Sequence, residues 1–74
     1  MSLGEQLDGA QLVRYDAESE LTFAWFGGHG VHVYRDNGDE VEFFSVGSFA
    51  QDTATSDEVV AAIKDKITEY REMD

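Results

Sequence analysis

The chain has no cysteine and no proline, and only five of its 74 residues are basic. Without cysteine no disulfide can staple the fold, although chains this short often need a disulfide, a metal or a partner subunit to supplement a small core. The same absence suits a reducing interior better than secretion. No apolar run approaches the roughly 20 residues that a membrane-spanning helix requires. Residues 1–9 include Glu5 and Asp8 but no basic residue, which does not match a signal peptide. These features predict one cytoplasmic domain over residues 1–74, with no membrane partner. There is no internal repeat and no low-complexity stretch.

Acid dominates what is present. Sixteen Asp and Glu stand against five Lys and Arg, for a formal net charge of −11. Apolar residues still make up 42%, with one Trp, three Tyr and five Phe. Acidic disordered chains are poor in aromatics, so this acid load is expected on a folded surface. Such a surface repels itself at ordinary ionic strength. At molar salt the screening length falls to about 3 Å and the repulsion fades. With lysine limited to Lys64 and Lys66, the composition predicts a halophilic protein.

Hydrophobic periodicity outlines the fold. Residues 2–8 suggest a short helical turn carrying Leu3 and Leu7, and residues 10–15 a strand. Asp16-Ala17-Glu18-Ser19 reads as a turn. In residues 20–26, Leu21, Phe23 and Trp25 alternate with Thr22, Ala24 and Phe26. Gly27-Gly28-His29-Gly30 reads as a flexible connection. Residues 31–35 and 40–46 flank Asp36-Asn37-Gly38-Asp39, a strong hairpin signal. A three-residue loop with Gly38 in a left-handed bulge sets Val33 against Val41 and Val31 against Phe43. It also pairs His32 with Glu42 and Tyr34 with Glu40, and so gives one uniformly apolar face. Residues 47–55 read as a polar loop around Phe49. Thr55-x-x-Glu58 then forms a capping box, followed by an apolar stripe of Val60, Ile63, Ile67 and Tyr70 with Val59 beside it. The predicted architecture is α+β. An antiparallel meander of three or four strands carries a C-terminal amphipathic helix on its inner face.

No motif carries a defined chemistry. His29, His32 and a cross-strand Glu42 could ligate a metal, but their spacing fits no zinc signature; a loop histidine and a sheet-surface histidine are the expected roles. Gly27-Gly28-His29-Gly30 joins two strands rather than opening a helix, and no lysine follows it, so it is not read as a phosphate loop. Paired acids such as Glu40 and Glu42 are expected on any surface this acidic, and a chain of this size offers little cleft for a catalytic dyad. No catalytic residue, cofactor or metal is predicted. Arg14, Arg35, Lys64, Lys66 and Arg71 are scattered along the chain, which makes nucleic acid an unlikely partner. A nucleic-acid-associated regulator that gathers these residues on one face is the alternative.

Aromatics left over after the helix is placed point elsewhere. Phe26, His32, Tyr34 and Phe44 are expected on the outer face of the sheet. A contiguous apolar patch of that kind marks an interaction site. The expectation is a non-catalytic interaction module that forms a homodimer, unless Leu3 and Leu7 fold over the patch. The pattern LTFAWFGGHGVHVYRDNGDEVEFFSVGSF followed by SDEVVAAIKDKI resembles the short conserved haloarchaeal proteins of unknown function. That resemblance spans nearly the whole chain, rests on composition and pattern, and implies no site residues.

Overall fold

The computed structural model describes residues 2–48 and 50–72; the loop aromatic Phe49 lies outside them. A short helix, α1 (Leu3–Gln6), is followed by four strands, β1 (Leu12–Asp16), β2 (Leu21–Trp25), β3 (Gly30–Arg35) and β4 (Glu40–Ser45), and by one long helix, α2 (Ser56–Glu72). The strands form one antiparallel sheet in the order β1-β2-β3-β4. This is the α+β meander with a C-terminal helix.

Each junction has a local cause. Between β1 and β2, the Asp16 carboxylate accepts from the Ser19 hydroxyl at 2.7 Å and from its backbone N–H at 3.3 Å. Those two bonds close the turn, the Ser19 hydroxyl foremost in holding the Asp16 carboxyl below its usual range. Helix α2 starts at a reciprocal capping box. The Thr55 N–H donates to Glu58 Oε1 at 2.9 Å, and the Glu58 N–H donates to Thr55 Oγ1 at 3.2 Å.

The β3–β4 hairpin has the expected three-residue loop. The Arg35 N–H donates to the Asp39 carbonyl and the Gly38 N–H to the Arg35 carbonyl, both at 2.9 Å, with Gly38 at φ 93°. Tyr34 then pairs with Glu40 as expected, but Val33 pairs with Glu42, not Val41. Val41 is the extra residue of a bulge, and every later position of β4 changes face. Phe44 therefore turns inward, packing against the core beneath the Lys66 ammonium, 4.8 Å from its ring centroid. Phe43, expected inside, faces out and is 55% exposed. The ring of Phe43 lies over Gly30, where a Cβ would collide with it. Glu42 now faces the helix, accepts from the Tyr70 hydroxyl and lies 3.8 Å from Lys66 Nζ. Aromatic cover for a strand glycine and partners for an inward carboxylate together favour the bulged register.

The core comprises Phe23, Trp25, Val31, Val33, Val46, Ala54, Val59 and Ile63, with Leu12, Leu21, Phe44, Ala62, Ile67 and Tyr70 packed against it. The helix stripe is rotated from the expected one: Val59 and Ile63 are fully buried and Val60 only partly. Val41 and Phe43 stay outside it.

Candidate functional site

One helix can cover one face, and α2 takes the inner one. On the opposite face the side chains come from β1 (Val13, Tyr15), β2 (Thr22, Ala24), β3 (His32, Tyr34) and β4 (Phe43), with Phe26 just past β2. His32 lies at the centre of an aromatic cluster. Phe43 meets its ring edge-on at 4.8 Å, Phe26 does so at 5.4 Å, and Tyr34 stacks at 6.1 Å with planes 9° apart. His32 Nδ1 pairs with Glu40 Oε1 at 3.1 Å. Thr22, Ala24 and Tyr34 are buried beneath their neighbours, whereas Val13 and Tyr15 remain 46% and 54% exposed. The short α1 makes few contacts with any other element, and Leu3 and Leu7 are half-buried.

Three of the four sequence-predicted face residues, Phe26, His32 and Tyr34, are thus brought together. Phe44 is not: the Val41 bulge puts it on the helix side, and Phe43 occupies the outer position. Sequence reasoning also missed Val13 and Tyr15. Their alternation with Arg14 was a usable signal, but the inner polar residues of β1 obscured which side of that strand is apolar.

His29, His32 and Glu42 do not converge. Glu42 lies on the helix side and His32 on the outer side. His29 belongs to a clamp at the end of the sheet, with ring nitrogens 3.0 Å from the Val46 carbonyl and 2.9 Å from the Gln51 carbonyl. A carbonyl oxygen can only accept, so both contacts become hydrogen bonds only in the doubly protonated ring, which they therefore favour. These bonds, to Val46 foremost, push its pKa up, with Glu58 and Asp52 adding to the shift and burial opposing it. The Trp25 indole donates to the Gly28 carbonyl at 2.9 Å, the Ala54 N–H reaches that carbonyl at 3.2 Å, and the Thr53 hydroxyl lies against the Gly27 and Gly28 carbonyls. The glycine-rich connection is therefore pinned, not flexible. A pKa raised on folding gives stabilisation that is complete below the unfolded value of about 6.5 and is lost as pH rises through the folded value. NMR titration of the His29 ring should give a midpoint above about 6.5; a midpoint at or below it contradicts the imidazolium clamp.

The cations do not share one face. Lys66 pairs with Glu69 at 3.1 Å beside Glu42, and Arg35 lies at the hairpin end with Ser19, Glu20 and Asp36. Arg14, Lys64 and Arg71 border a separate groove between β1 and α2. Among the described residues no helix is long and apolar enough to cross a membrane.

The class defined by this geometry is a small α+β domain, a four-stranded meander backed by one helix, with an aromatic outer sheet face. Comparison with protein-family models, curated proteins and solved structures gives no match for this chain.

Proposed function

We infer that this protein is a non-catalytic interaction module, adapted to a salty cytoplasm, that works as a homodimer joined through the outer sheet face. The observation that carries this reading is the exposure of Val13, Tyr15 and Phe43, at 46%, 54% and 55%, on the face that α2 leaves uncovered. Fully burying a large apolar side chain stabilises by roughly 1.5–3 kcal/mol, a substantial increment for so small a core. Area is sufficient. A standard interface takes about 800 Å² from each partner, roughly a sixth of the 4628 Å² this chain exposes. The face belongs to a body measuring 34 × 30 × 15 Å.

A second copy is the simplest occupant, because a two-fold interface is one patch meeting itself. Phe43, Phe26 and His32 form its apolar centre on one side and Val13 and Tyr15 on the other, with Glu40 towards the rim. Acids on that rim repel their symmetry mates, so association should tighten as salt rises.

The test is light scattering in molar KCl. The parent is expected to be a dimer and Phe43→Asp a folded monomer, because Phe43 is half exposed and outside the core. Tyr70 against Glu42 and Lys66 over Phe44 still hold the β4 register. A monomeric parent refutes the homodimer. A dimeric Phe43→Asp moves the contact to another surface, such as the free edges of β1 and β4. Phe44→Asp is the contrasting variant: it puts a charge against the core and should unfold the domain, not merely separate subunits.

A further inference from the structure

Five cations in a chain of net charge −11 should each find a carboxylate. Lys66 has Glu42 and Glu69, and Arg71 has Asp16 at 3.4 Å and Glu18 at 2.9 Å. Arg14, Lys64 and Arg35 have no ion-pair partner among the described residues; Arg35 sits apart at the hairpin end, whereas Arg14 and Lys64 lie together. Arg14 and Lys64 border the same groove, about 310 Å³ in volume, which also takes in Tyr15, Asp16, Ile67, Thr68 and Arg71.

The topology explains the convergence. Lys64, Ile67, Thr68 and Arg71 recur at three and four residues, so they form one flank of α2. Arg14 pairs with the core residue Phe23 and therefore points to the helix side of the sheet. The buried core joins β2 and β3 to α2, and α2 also runs close along the edge strand β1, where Arg14 on the helix side stays exposed. Three like charges around one opening repel one another, and among the described residues no ion pair offsets Arg14 or Lys64. Asp16, the carboxylate lining the groove, is already bound by Ser19 and Arg71. With three cations against the single carboxylate of Asp16, the groove lining carries a net charge opposite in sign to that of the whole chain.

We propose that the groove between β1 and α2 is a binding site for a small phosphate ester, held by Arg14 and Lys64 with Arg71 at its far end. The volume lies at the lower end of the range for small-molecule sites. The Arg14 guanidinium offers a planar fork for two oxygens, and Lys64 a point charge for a third. A tetrahedral dianion can meet donors from strand and helix at once, which a planar carboxylate with two oxygens does less well. Ile67 gives the ester's organic part an apolar contact. The groove meets the dimer face only at Tyr15, which borders both; neither Arg14 nor Lys64 belongs to that face.

Inorganic phosphate is the probe, titrated into the full chain by NMR in molar KCl at constant ionic strength, so that screening alone produces no response. Saturable shifts of the Arg14 side chain and of the Lys64 and Thr68 amides are expected, with a dissociation constant on the order of 1 mM. Arg14→Gln and Lys64→Gln should each weaken binding about tenfold or more, and Arg35→Gln should not change it. Both altered side chains are exposed, so the variants should fold like the parent. The absence of saturation, an equal response to acetate, or unchanged affinity in Arg14→Gln and Lys64→Gln would each overturn the assignment.

Discussion

Ile63→Ala should lower the unfolding free energy by about 2–5 kcal/mol, through lost burial and the cavity left behind. Ile63 is 1% exposed and belongs to the cluster that joins α2 to Phe23, Val31 and Val33. In a domain of this size each kcal/mol moves the melting temperature by about 4–8 °C, so the midpoint should fall by at least about 10 °C. Chemical denaturation in molar KCl is the measurement. A loss below about 1 kcal/mol, typical of a surface substitution, would show that α2 does not cover this face. Val60→Ala serves as the internal comparison. Val60 is partly exposed beside fully buried Val59, so its truncation should cost less than that of Ile63.

Raising KCl from about 0.01 M to 1 M should increase the melting temperature by at least about 10 °C, because the screening length contracts from about 30 Å to about 3 Å. The magnitude follows from the net charge of −11. Like-charged neighbours cost about 0.2–0.5 kcal/mol each. Relief over the whole surface therefore comes to about 2–5 kcal/mol. Asp36→Asn with Asp65→Asn removes two exposed charges that make no ion pair among the described residues. That variant should have a shallower salt dependence and a higher midpoint at low salt. Equal melting temperatures at both salt concentrations would contradict halophilic adaptation.

Where a residue's environment is set by its neighbours in sequence, the structure was legible. Alternation in Leu21-Thr22-Phe23-Ala24-Trp25, Asn-Gly in the hairpin and the Thr55–Glu58 box each specify an element through contacts a few residues long, and all three formed. The bulge at Val41 was not legible. Glu40-Val41-Glu42-Phe43-Phe44 presents an apolar side in either register. The choice between them rests on Gly30 beneath Phe43, Lys66 over Phe44 and Tyr70 against Glu42, the last pair 28 residues apart in the chain. Turning Phe44 inward changes the composition of the candidate interface without removing it, because Phe43 replaces one ring by another. The groove of Arg14, Lys64 and Arg71 was hidden for a similar reason. Its strand and helix residues lie some fifty positions apart, and only the passage of α2 along the edge strand β1 brings them together.

The outer face as the subunit interface is tested most directly by mixing isotope-labelled and unlabelled protein in molar KCl and recording NOEs between the two kinds of chain. Face-to-face association predicts intermolecular contacts from the rings of Phe43, Phe26 and His32 and from Val13 and Tyr15, and none from Ile63 or Phe44. Intermolecular contacts confined to the backbone of β1 or β4, or no intermolecular contacts at concentrations where the parent is fully folded, would contradict it.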